Sequence, residues 1–160
     1  MGRASPVVQI VLLALWLGSA VFLSAVVAPA LFAVLPSRTL AGAVVGRLLP
    51  VVFYAGMAIG AIVVVLQFTA SRGGGWQISG VAGTLMIAAC AVAQFLIGPR
   101  IERLRASIGR PIEELALGDA QRVAFGRLHG FSVAWLGLAM LAALVAVIVA
   151  ARSIPLDNGR

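Results

Sequence analysis

The chain contains no lysine, a single histidine (His129), a single cysteine (Cys90) and only five acidic residues. One cysteine cannot close an intrachain disulfide, so cysteine usage says nothing of redox compartment. One histidine excludes a bis-histidine haem, because no second imidazole exists for the opposite axial position. No phosphate-binding loop, serine triad or zinc-ligand pattern occurs. Charge of either sign is scarce: charged residues make up 11% of the chain and hydrophobic residues 62%. A soluble domain carries about 25% charged and roughly 45–50% apolar residues. A soluble globule is therefore excluded. In a chain of 160 residues, one domain is expected, and spans of about 20 apolar residues leave little room for an extramembrane catalytic domain.

All twelve positive charges are arginines, and the net charge is +7. So basic a chain would ordinarily suggest nucleic acid. Here the arginines flank apolar runs, where they act as topology signals and headgroup contacts. The expected partner is the lipid bilayer, with other membrane proteins or a second copy of the chain beside it, and no nucleic acid.

Uncharged stretches at 4–37, 48–71, 73–99 and 128–151 are each long enough to span. They predict membrane helices at about 7–35, 48–70, 77–97 and 128–151 in an all-α, four-transmembrane-helix bundle forming one domain over 1–160. The runs are continuously apolar and far exceed a barrel strand's roughly 9–11 residues, which excludes a β-barrel. Arg3 followed by an apolar run resembles the start of a signal peptide, but the run outlasts a signal's apolar region of about 7–15 residues. An uncleaved first span is expected.

The linkers differ in character. Pro36 to Thr39 makes a short turn into the second helix, whose first turns extend back toward Leu40 past Gly42 and Gly46. Arg72 to Trp76 reads as a tight glycine turn, with Trp76 suited to the interfacial aromatic belt. Only 100–127 has room for structure of its own. There Ile101, Leu104 and Ile108 recur at helical spacing, predicting a short amphipathic segment on the membrane surface that Gly109-Arg110-Pro111 ends. A solvated loop is the alternative. Asp119 stands where an N-cap belongs, so the fourth helix is expected to start near Ala120. The 1–2 and 3–4 linkers hold eight arginines and the opposite face four. The positive-inside rule then puts these linkers in the cytoplasm of a bacterial inner membrane and both termini in the periplasm.

Ionisable residues at a membrane edge are functional candidates because burying them is costly. His129 shares a helix face with Arg122, Phe125 and Ser132. The end of the first span around Pro29 and Phe32, with Arg38, Arg47, Gln94, Arg100 and Glu102, falls at the same edge. His129 is either an interfacial imidazole bonded to a neighbouring helix or headgroup, or a ligand contact, proton relay or metal ligand. Met140 lies about 16 Å deeper on the same helix, which disfavours a His/Met haem. Met86 and Cys90 share a face as a soft-ligand pair, but two ligands without a third point to packing. No cofactor is expected. Glu113 and Glu114 favour a helix N-terminus after Pro111 rather than a catalytic carboxylate pair. G-x-x-x-G spacings at Gly42/Gly46, Gly56/Gly60 and Gly126/Gly130 predict close helix packing, within the bundle or between copies. Pro29 and Pro50 predict kinks.

Ala28-Pro29-x-Leu31-Phe32, the entry to the second span at Gly42, Gly98-Pro99-Arg100-Ile101, and Phe125-Gly126-Arg127-Leu128-His129-Gly130-x-Ser132 together resemble the transmembrane-protein-205-like family. Its bacterial members are described only as a membrane domain of unknown function. The resemblance implies a four-helix membrane fold and a polar edge built from Pro29, Phe32, Arg100, His129 and Ser132. The family pattern has an asparagine about a turn after the serine; here that position, around Leu136, is apolar, so the polar network does not continue inward.

The expected function is that of a non-enzymatic accessory subunit or minor transporter with a polar ligand or partner contact around His129. The alternative is a membrane-embedded oxidoreductase or oxygenase-like enzyme using His129 with a bound cofactor.

Overall fold

A computed structural model describes residues 4–69 and 76–154. The glycine turn at 72–75, with Arg3, Arg72 and Arg160, lies outside the described residues, as does the side chain of Trp76.

Four helical rods account for the fold. Rod α1 comprises Ala4–Phe22, a π turn at Leu23–Val27 and a last stretch at Ala28–Val34. Rod α2 is one helix, Arg38–Thr69. Rod α3 comprises Trp76–Ala91, a π turn at Val92–Ile97 and Gly98–Ile108. Rod α4 is Ala120–Arg152. All four are long and apolar enough to cross a membrane. Because helices satisfy their backbone hydrogen bonds internally along the span, this is the architecture of a multi-pass membrane protein.

Each rod packs mainly on two neighbours, α1 on α2 and α4, and α3 on α2 and α4. Neighbours run antiparallel. Near the start of α1, Gln9 Oε1 accepts from Gln67 Nε2 near the end of α2 at 3.2 Å, and midway Trp16 Nε1 donates to the Val52 carbonyl at 2.8 Å. The Leu35–Ser37 and 109–119 connections therefore lie together at one end of the bundle, called here the linker end.

Connections stop where local chemistry requires. Leu35, preceding Pro36, is extended (φ −76°, ψ 144°), as a proline imposes on its predecessor. The Ser37 hydroxyl then accepts from Leu40 N at 3.1 Å and caps α2. Gly109 ends α3 in the left-handed region at φ +65°, a conformation that costs glycine little. A 3-10 turn, Ile112–Glu114, follows, and Leu115 buries its side chain against the bundle. Asp119 caps α4 as its position predicted, accepting from Gln121 N at 2.8 Å.

Rod α2 starts at Arg38, as expected of first turns extending back toward Leu40, whereas α3 differs from expectation in running past 97 to Ile108. The amphipathic stretch is thus continuous with the third span. Counting uncharged residues stops at an arginine; a helix whose ends are capped does not.

The core fills the other half of the bundle. Leu13, Trp16, Met86, Cys90 and a row of alanines on α4 (Ala139, Ala143, Ala146) pack there, nearly or fully buried. Small residues let the backbones approach, as lipid-phase packing demands. A Cβ at Gly60 would meet the Gly83 carbonyl at 3.0 Å and Ile87 Cγ1 at 2.7 Å, and one at Gly56 would meet Cys90 Sγ at 2.7 Å. The Gly56/Gly60 pair is therefore a true α2–α3 contact.

The other two glycine pairs do not pack helices together. A Cβ at Gly42 or Gly46 would meet only the Arg105 guanidinium, at 3.4 and 3.9 Å. A Cβ at Gly126 or Gly130 would meet no atom of the described residues within 4 Å outside its own stretch of helix. These two glycines face outward, so the expectation of a close contact within the bundle does not hold there.

Candidate functional site

At the linker end the inward faces of the rods separate around a cavity of about 650 Å³, within the range of small-molecule sites. Rod α2 contributes Arg38, Gly42, Val45, Gly46, Leu49, Pro50 and Phe53, at spacings that fall on one helical face. Rod α3 contributes Ala93, Gln94, Gly98, Ile101, Glu102 and Arg105, and α4 contributes Arg122, Phe125, His129 and Ser132. Phe32 stands at the rim from α1, and Arg110, Ile112 and Glu113 close the linker side.

Two π turns shape this space. In each, a small residue bonds five residues back rather than four: Ala28 N–H to the Leu23 carbonyl and Gly98 N–H to the Ala93 carbonyl. A proline follows at once, Pro29 and Pro99. Proline has no N–H for the carbonyl four residues earlier and its ring crowds that carbonyl. Widening the preceding turn by one residue relieves both problems. Before its π turn α1 packs on both α4 and α2; beyond it, Ala28–Val34 keeps α2 as its main partner. The loss of the α4 contact leaves room beside α4. Pro50, by contrast, sits inside α2 with the helix unbroken around it.

Arg105 is the most connected polar group in the cavity. Its Nη1 pairs with Glu102 Oε1 at 3.1 Å, and its guanidinium carbon lies 5.6 Å from the Phe125 ring centroid, a cation–π distance. Gly42 and Gly46 leave the space the guanidinium occupies. Phe125 in turn lies parallel to His129, with ring centroids 6.3 Å apart and planes 6° from parallel. Arg122 Nη1 donates to the Leu115 carbonyl, tying the linker to α4. Ser132 is 8% exposed and lies at the cavity floor beside buried Phe53 and Ala93.

Glu113 has a structural task. Its carboxylate accepts from Thr39 Oγ1 at 2.9 Å and from Thr39 N at 3.4 Å, so it caps α2 from 74 residues away. Its own backbone N–H, then the Thr39 hydroxyl and N–H and the nearby Arg38 charge, hold its carboxyl below the ordinary value, outweighing partial desolvation. The negative charge sits at the positive end of the helix dipole.

Of the residues singled out in the sequence, His129, Ser132, Phe32 and Glu102 line the cavity, as do Arg38, Gln94, Arg122 and Phe125. Pro29, Arg47 and Arg100 are exposed and do not. Met86 and Cys90 are both fully buried in the packed half, away from the cavity. Arg105 and Arg110 were passed over. Arg105 lies three residues from Glu102 and four after Ile101 on one face, a signal present in the sequence but hidden by treating 100–110 as a surface segment.

The family model described as Domain of unknown function (DUF4149) matches residues 11–110, well over half of the chain. The chain belongs to that family. In this DUF4149 member the matched region runs from α1 to the end of α3 and includes Arg38, Gly42, Gly46, Arg105 and Arg110, whereas the face of α4 bearing His129 lies beyond it. No curated protein and no solved structure matches the chain.

Proposed function

We propose that the protein is a non-catalytic ligand-binding protein of the bacterial inner membrane, an accessory subunit or small transporter, whose ligand occupies the linker-end cavity. One observation carries this reading: the same four rods that pack tightly around Met86 and Cys90 part at the linker end around about 650 Å³. Packing energy is forgone there, as expected of a space kept for a ligand. His129, Ser132 and the arginines of the linker end set polar groups beside the apolar wall of Val45, Leu49 and Phe53, the arrangement that orients a guest. The stretches that resemble the transmembrane-protein-205-like family fall at the same end of the bundle. By the arginine counts, the linker end faces the cytoplasm.

Native mass spectrometry of protein released gently from its own membrane tests the reading. The wild type is expected to carry a bound small molecule, and Gly46→Phe, whose Cβ would meet only the movable Arg105 guanidinium and whose ring would extend into the cavity, is expected to lose it while melting at the same temperature. An adduct equal on both proteins, or none on either, overturns the proposal.

A further inference from the structure

We infer that the ligand of this cavity is a phosphate-headed amphiphile, its chain in the apolar interior and its head among the arginines; this rests on the cavity being a ligand site. Charge is the first argument. Four guanidiniums (Arg38, Arg105, Arg110, Arg122) line the cavity against two carboxylates, Glu102 and Glu113. Both carboxylates are engaged, Glu102 with Arg105 and Glu113 at the N-terminus of α2. Arg122 meets a neutral carbonyl, and no hydrogen bond or ion pair joins Arg110 to another described residue. The cavity therefore keeps an excess of two positive charges, which matches the charge of about −1.5 to −2 on a phosphomonoester. Guanidinium forks suit phosphate oxygens in geometry as well as charge.

The apolar part of the cavity supplies the second argument. Val45, Leu49, Pro50, Phe53 and Ala93 offer no hydrogen-bonding side chain to a small soluble anion, and a fully hydrated phosphate would leave that wall unmatched. A hydrocarbon chain fills it with favourable burial of about 25 cal/mol per Å². Access is the third. Phe32, 44% exposed, and exposed His129 both line the cavity where the end of α1 packs on α2 rather than α4. Phe32 lies near the end of Pro6–Val34, a helix long and apolar enough to span a membrane, which puts this gap at the lipid edge, where a chain could enter without crossing water.

Melting temperature and native mass spectrometry in neutral detergent test this with four probes: oleoyl lysophosphatidate, oleoyl lysophosphatidylcholine, oleyl alcohol and inorganic phosphate. Lysophosphatidate is expected to bind and to raise the melting temperature, and the other three to bind at least tenfold more weakly. Arg105→Gln should weaken lysophosphatidate binding by about tenfold or more, the loss of one charge-assisted contact. Arg47→Gln, outside the cavity, should leave binding unchanged, which separates the site from general attraction to a basic surface. Equal binding of the choline lipid or the alcohol overturns the requirement for an anionic head, and equal binding of inorganic phosphate overturns the amphiphile. Equal weakening by both arginine variants overturns the site. If the purified protein carries a resident molecule that is neutral or cationic, the cavity remains a ligand site and only the phosphate-headed assignment falls.

Discussion

Glu113 illustrates how a residue's role can depend on a partner far away in sequence. Two residues after Pro111 it reads as a residue favouring its own short helix, and it does lie in the Ile112–Glu114 turn. Its carboxylate nevertheless caps α2 through Thr39. The pH dependence follows from its lowered pKa. Because the folded value lies below the ordinary 4.5, the stabilisation is fully present above that pH and is lost as pH falls through the folded value. The melting-temperature gap between wild type and Glu113→Gln is therefore expected to be largest at neutral pH and to close on acidification below 4.5. A gap that stays constant down to acid pH would show that the hydrogen-bond geometry matters and the charge does not.

At the scale of elements, glycine spacing divides into three uses that share one sequence pattern. Gly56 and Gly60 bring α2 against α3, Gly42 and Gly46 make room for Arg105, and Gly126 and Gly130 face away from the bundle. Gly60→Leu is expected to lower stability by about 1–3 kcal/mol or more, the range for forcing atoms into a packed contact, because Ile87 and the Gly83 backbone stand in the way. Gly130→Leu is expected to change the detergent melting temperature little. Comparable losses in the two variants would mean that α4 makes a close contact through Gly130, within an assembly or otherwise. The paired π turns also belong to this scale. Each hairpin joins a π turn and a small-residue–proline pair to a following helix that carries Gly-Arg-Leu, at Gly46-Arg47-Leu48 and at Gly126-Arg127-Leu128. The prolines are visible in sequence; that they would be accommodated by widening the preceding turn is decided by which neighbour the next stretch of helix finds.

For the whole molecule, orientation is the property with the plainest test. Reporter fusions after Arg72 and after Arg160 are expected to read out the periplasm, and a fusion within 103–110 the cytoplasm, since the arginine-rich linkers stay on the side of synthesis. The reverse pattern would invert the cavity's exposure without altering the bundle, because packing among the rods is indifferent to which face of the membrane each end meets.

Hydropathy alone determined that the chain is helical and crosses a membrane four times, because a backbone in lipid must satisfy its own hydrogen bonds and a run of apolar residues has no other solution. Local chemistry was equally readable where it acts over a few residues, as with Asp119 capping α4. That His129 and Ser132 share a helix face with Arg122 and Phe125 was legible from helical spacing, and all four line the cavity. Tertiary structure decided the rest: that Arg105 and Arg110 turn into the cavity while Arg47 and Arg100 do not, and that one glycine pair packs while another lies bare. The reason is physical. Spacing fixes which residues share a face of one helix, whereas what that face meets depends on the rotation and offset of helices distant in sequence, set by small-residue contacts and by two widened turns.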